Sequence, residues 1–189
     1  MKKVFTLAAF CCIFAIAATA QKAPDFSGTW TLDVSKSQLG ERNRIEGMTM
    51  TVVQTAKDVK VTTETKRQAP PADAAAAGAG MGRPGGGGGM GRGFGGSDTT
   101  NVYTLDGKET TIEVDGPNGK MPMKLKGLVE AGGKATFSTS RTFNSPNGEV
   151  TFTTKEAWSL AADGKTLTVI KEQASMRGTN STTMVFVKK

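Results

Sequence analysis

Residues 149–174 read EVTFTTKEAWSLAADGKTLTVIKEQA, and their period decides the fold class. Val150, Phe152, Thr154, Glu156, Trp158 and Leu160 alternate with Thr151, Thr153, Lys155, Ala157 and Ser159. Alternation with period two is the mark of a strand with one face turned to a core, and no helical spacing competes with it here. Asp163-Gly164 interrupts the alternation, which resumes at Leu167 and Val169. Asp-Gly between two alternating runs predicts a two-residue type I′ hairpin. In that register Ala162 faces Lys165 and Leu160 faces Leu167. Counting onward, Trp158 faces Val169, Glu156 faces Lys171 and Thr154 faces Gln173. A three-residue loop with a bulge would instead set Leu167 opposite Ser159.

The preceding run, KATFSTSRTF, is joined to this one through NSPNGE. Pairing Asn144 with Glu149 places Phe143 opposite Val150 and Arg141 opposite Phe152. Three charges, Arg141, Glu156 and Lys171, then fall on faces that otherwise carry Ala135, Phe137, Phe143, Val150, Phe152 and Trp158. A charge on an inward face is costly unless it is paired or wet. Two kinds of reading stand. A water-containing interior would use these groups to orient the polar end of a ligand, with Arg141, Glu156, Lys171, Thr154, Gln173, Phe152, Trp158 and Phe186 as the binding set. Alternatively, Glu156 and Lys171 form a structural ion pair at a barrel mouth, or a slipped register turns them outward.

The same alternation recurs along the chain. FSGTWTLDV puts Phe26, Gly28, Trp30, Leu32 and Val34 on one face; MTMTVVQT and VKVTTETK follow, then TNVYTL, TTIEV, MPMKLKGLV and, last, STTMVFV. Ten runs are candidate strands, of which eight to ten are expected to form. Threonine is abundant, as suits a pleated, half-buried surface. No segment has the pattern of a long helix, although residues 35–44 can hold a short turn of one. Connections are short and rich in turn residues, Asp106-Gly107 among them, which makes the chain an antiparallel meander. Closing a meander into an up-and-down barrel of eight to ten strands removes its exposed edges. The expected fold is therefore all-β.

Two segments stand outside this rhythm. The chain opens MKKVFTLAAFCCIFAIAATAQ, with Lys2 and Lys3 before an apolar run and Ala18-Thr19-Ala20 before Gln21, the pattern of a secretory signal peptide over residues 1–20. The apolar run is too short for a membrane span. Phe10, bulky and directly before Cys11, argues against lipidation. Residues 69–97 hold APPADAAAAGAG and then MGRPGGGGGMGRGFGGS, a composition expected of a flexible insertion within a single domain over 21–189. Its Arg83, Arg92 and Phe94 faintly match RGG-type segments, but they are few and no nucleic-acid partner is expected.

Composition removes several chemistries. The chain has no histidine, and both of its cysteines, Cys11 and Cys12, lie in the signal segment. No Cys or His can then serve as nucleophile, base or zinc ligand in the exported chain, and no disulfide can staple it. No acidic loop of the EF-hand type is present, so neither a metal nor another cofactor is expected. Removing Lys2 and Lys3 leaves 22 basic against 17 acidic residues, spread along the strands as solvated faces. A membrane-spanning barrel would need aromatic girdles. With aromatics at 6% and a single tyrosine, Tyr103, membrane spanning is not expected.

At DFSGTW the chain resembles a known family. Gly28-Thr29-Trp30, early on the first strand, resembles the G-x-W motif that opens lipocalins, and DFSGTWTLDVSKS, YTLDGKE and EAWSLAADGKTLTV look like secreted bacterial lipocalin-like proteins. The resemblance implies a barrel whose Trp30 plugs one end and whose cavity takes a small amphipathic molecule. There are departures from the family pattern. No Thr-Asp-Tyr element follows a strand, and the last strand ends VFVKK, with Lys188 where an arginine commonly packs over the tryptophan. The expected function is binding of a small hydrophobic or amphipathic ligand by an exported protein without catalysis. Two other functions compete with it: an envelope-associated interaction protein using residues 69–97 as its contact arm, and an acid–base enzyme built on Glu156 and Lys171.

Overall fold

A computed structural model describes residues 24–40, 44–68, 98–116, 119–130, 132–145, 148–175 and 178–189. The signal segment expected over residues 1–20 and the insertion expected over 69–97 lie outside the described residues.

Ten antiparallel strands form one sheet: β1 (Gly28–Leu32), β2 (Ile45–Gln54), β3 (Asp58–Arg67), β4 (Asp98–Thr104), β5 (Asp106–Gly116), β6 (Gly119–Glu130), β7 (Lys134–Ser145), β8 (Gly148–Leu160), β9 (Thr166–Ser175) and β10 (Gly178–Lys188). Each strand pairs with its neighbour in the chain, except β4 with β5. First and last strands close the ring, Trp30 facing Lys188 and Leu32 facing Phe186. The architecture is an up-and-down meander rolled into a nearly closed barrel. Helix is confined, among the described residues, to the 3-10 turn Val34–Lys36, capped by Asp33. That turn lifts Val34 off the strand face on which alternation placed it and leaves it exposed.

Both hairpins expected from residues 134–175 form in the register read from the sequence. Arg141 faces Phe152 and Phe143 faces Val150 across β7 and β8. Trp158 faces Val169, Glu156 faces Lys171 and Thr154 faces Gln173 across β8 and β9. The β8–β9 turn itself differs from expectation. A type I′ turn needs positive φ at both central residues, and no non-glycine residue takes one, so Asp163 cannot serve. The amide of Gly164 instead donates to the carbonyl of Ala161, and Ala161 in turn donates to Thr166. The Asp163 carboxylate closes the loop by accepting from the Lys165 and Thr166 amides. This four-residue loop keeps the parity of a two-residue one, which is why the register survives.

The ring is broken between β4 and β5. A single residue, Leu105, joins them, too short a link for a hairpin. Asp106-Gly107 is therefore no hairpin turn but the start of β5, where the β5–β6 register shifts between Asp106 and Glu109 and Gly107 takes φ of 72°. Near the corner the break is bridged from inside. A Cβ on Gly127 of β6 would lie 2.8 Å from the Tyr103 Cβ and 2.9 Å from the Thr104 carbonyl oxygen, so β4 rests against β6 at a residue with no side chain.

One end of the barrel is plugged. The Trp30 indole donates to the Phe26 carbonyl at 2.9 Å, and both side chains are buried. Gln54 ties down the segment that brings Phe26 there: its side chain accepts from the Phe26 amide and donates to the Pro24 carbonyl. The Lys188 ammonium lies over the Trp30 ring at 5.2 Å, and its stem passes so close to Gly28 that a Cβ there would come within 2.6 Å of it. Gly28-Thr29-Trp30 thus has a local physical meaning, since the glycine makes room for the cation that covers the tryptophan. Above the plug, four rings run across the barrel. Phe26 meets Trp158 at 5.7 Å, Trp158 meets Phe137 at 4.8 Å, and Phe137 meets Tyr103 at 4.8 Å. Edge-on and tilted rings at these spacings make a filled aromatic floor.

Candidate functional site

Alternation carries the inward faces of β7, β8 and β9 from that floor toward the other end of the barrel, and their side chains turn polar on the way. On β8 the sequence passes from buried Trp158 to half-buried Glu156, Thr154 and Phe152. On β9 it passes from buried Val169 to half-buried Lys171 and exposed Gln173. On β7 it passes from buried Phe137 to half-buried Thr139 and Arg141. The flanking Lys155 and Ala157 are exposed, so Glu156 faces inward and not outward.

Glu156 is occupied twice. One oxygen accepts from the Trp158 indole at 3.1 Å, and the other lies 3.5 Å from the Lys171 ammonium. The side chains keep 22% and 31% exposure, so water still reaches the pair and its net worth is small. Its effect is local: Lys171 is neutralised, and the carboxylate locks the rim of the aromatic floor.

Arg141 is placed differently. Among the described residues no carboxylate pairs with it, and its Nε–H donates to the Met123 sulfur at 2.9 Å. Burial pushes its guanidinium below the usual arginine range, partly offset by Tyr103, yet arginine stays charged at any physiological pH. Tyr103 lies close by. Burial pushes its phenol well above the ordinary tyrosine range, the Glu156 carboxylate adds to the rise, and Asn101 and Arg141 oppose it. The phenol therefore stays protonated and remains a hydrogen-bond donor. Beyond Arg141, Phe143 and Phe152 stack at 5.6 Å with planes 6° apart, and Val150 and Met121 are buried apart from the main core.

The structure brings Glu156, Lys171 and Trp158 into one hydrogen-bonded group and sets Arg141 beside Phe152 on the neighbouring strand. Thr154 sits between Thr139 and Gln173. Trp158 and Phe186, each 1% exposed, belong to the floor. Met123, Tyr103 and Asn101 were not read from the sequence as site residues. Met123 lies 18 residues before Arg141, within a run that reads only as an apolar strand, and Tyr103 comes from the far side of the break. The cross-strand facing of Met123 and Arg141 follows once β6 and β7 are put in register.

Among the described residues no group of three or more His, Cys, Asp or Glu side chains is arranged to hold a metal ion, and no helix is long and apolar enough to cross a membrane.

Fold and site define a ten-stranded antiparallel barrel with an aromatic floor, a band of polar side chains above it and a second apolar cluster beyond. No family model matches the chain, and no curated protein sequence matches it. Among solved structures it is similar to the crystal structure of zebrafish ileal bile acid-binding protein complexed with cholic acid, with a TM-score of 0.47 and 16% identity over 87% of this chain and 98% of that one.

Proposed function

We propose that this chain is an exported, lipocalin-like binding protein that takes a small amphipathic anion and performs no catalysis. One observation carries the reading: Arg141 is a half-buried cation inside the barrel that no carboxylate pairs with among the described residues. A structural core rarely keeps such a group, because its desolvation is offset only by an opposite charge. A ligand carboxylate, sulfonate or phosphate would supply that charge in fork geometry. The stacked, half-buried Phe143 and Phe152 offer apolar surface to the rest of the ligand, backed by the buried Met121 and Val150. Glu156, held by Trp158 and Lys171, is committed to the floor, which argues against acid–base work. Export rests on the pattern of residues 1–20, and recovery of a chain beginning at Gln21 from its host would support it.

Dodecanoate and dodecanol, titrated against the mature chain and followed by tryptophan fluorescence, test the reading. Dodecanoate is expected to bind more tightly, and Arg141→Gln is expected to remove most of that advantage, about tenfold or more for a charge-assisted hydrogen bond. Equal binding of both compounds, or binding of neither in the millimolar range, would overturn it.

A further inference from the structure

Arg141 donates to the side chain of Met123. We infer that its thioether, by taking the Nε–H of the guanidinium, makes the interior selective for an anion presenting two coplanar oxygens; this rests on the reading of Arg141 as the head-group site. Met123 and Arg141 face each other directly on β6 and β7, and the sulfur receives Nε–H at 2.9 Å. Met123 is itself buried at 1% exposure, so the acceptor is part of the packed wall.

The choice of residue matters because of what the alternatives would do. A glutamate facing Arg141 would neutralise the guanidinium and remove its attraction for a ligand. A leucine would leave a buried donor without an acceptor, and the guanidinium would turn to satisfy it. A thioether is a weak, uncharged acceptor: it satisfies Nε–H and leaves the positive charge uncompensated. Guanidinium offers an anion two forks, one formed by Nε with a terminal nitrogen and one formed by the two terminal nitrogens. With Nε–H engaged by sulfur, only the end-on fork remains. That fork holds a carboxylate, sulfonate or phosphate in a bidentate manner and gives a hydroxyl or a halide no such match. Met123 thereby acts through Arg141, as a positioning residue that fixes the fork before the ligand arrives.

The ratio of dodecanol to dodecanoate dissociation constants, measured in the mature chain, reads this directly. Met123→Leu keeps volume and apolarity but removes the acceptor. It is expected to lower that ratio about fivefold, the size of a weak hydrogen bond, while leaving dodecanol binding unchanged. Arg141→Lys has no Nε–H of this kind, so in that background Met123→Leu is expected to have no further effect. Met123→Glu is expected to abolish the preference. Equal weakening of both ligands by Met123→Leu, or the same loss in the Arg141→Lys background, would reduce Met123 to a packing residue and overturn the inference while leaving Arg141 as the head-group site. If the unmodified chain shows no preference, or Arg141→Gln retains the whole of it, the head-group assignment falls and this inference falls with it.

Discussion

Single residues in this barrel carry out tasks that their side-chain class does not announce. Asp33 caps the 3-10 turn that ends β1: its carboxylate accepts from the Ser35 hydroxyl at 2.6 Å and from the Lys36 amide at 3.3 Å, and it lies 3.0 Å from the Lys36 ammonium. These bonds, that of Ser35 foremost, bring its carboxyl from the ordinary value of 3.8 to about 2. The folded value lies below the unfolded one, so protonation favours unfolding. Any stability Asp33 lends is therefore complete above about pH 4 and fades as the pH falls toward 2. Asp106 and Asp163 are lowered as well, so the quantity to measure is the difference in urea midpoint between the native chain and Asp33→Asn. That difference is expected to be largest at neutral pH and to shrink on acidification from pH 4 to 2. A difference that holds constant down to pH 2 would show that the carboxylate charge does not matter there.

Pairs and runs of residues were legible in the sequence where neighbouring strands are joined by a tight turn. Trp158 against Val169, and Arg141 against Phe152, follow from parity alone, and parity survived even though the Asp163-Gly164 loop has four residues and not two. The covering of Trp30 by Lys188 was legible only through the resemblance, which sets a cation of the last strand over the tryptophan of the first. The break between β4 and β5 was not legible. Asp-Gly at residues 106–107 reads as a hairpin turn, and only the packing of β4 across the barrel overrides it. Gly127 makes that packing possible. Gly127→Ala would put a methyl group 2.8 Å from the Tyr103 Cβ and 2.9 Å from a backbone oxygen, and neither neighbour is a flexible chain end. The expected cost is about 1–3 kcal/mol, typical of an overpacked core, with β4 amides exchanging faster than those of β8 and β9. An alanine variant with an unchanged urea midpoint would mean that β4 is free to shift outward and that the break is wider than the packing implies.

At the scale of the whole molecule, the barrel divides along its axis into a half packed around aromatic rings and a half that sets an arginine beside a stacked pair of phenylalanines. Below lie Trp30, Phe26, Trp158 and Phe137, closed from beneath by the segment that Gln54 ties to β2. Above lie Arg141, Met123, Phe143 and Phe152. The Glu156–Lys171 pair and its bond to the Trp158 indole mark the boundary. With no disulfide available beyond Cys11 and Cys12, burial in the lower half must supply most of the stability. Phe26 tests the division because it is fully buried and touches Trp158 edge-on within the floor. Phe26→Ala is expected to cost about 3–5 kcal/mol, as large cavities in cores do, and to shift Trp158 emission to the red as water enters the floor. Dodecanoate should still bind the folded fraction of that variant with an affinity within about twofold of the native chain, since residues without shared partners add independently. If instead Phe26→Ala weakens binding as much as it weakens the fold, the ligand reaches down to the floor, and the boundary drawn by Glu156 and Lys171 does not hold.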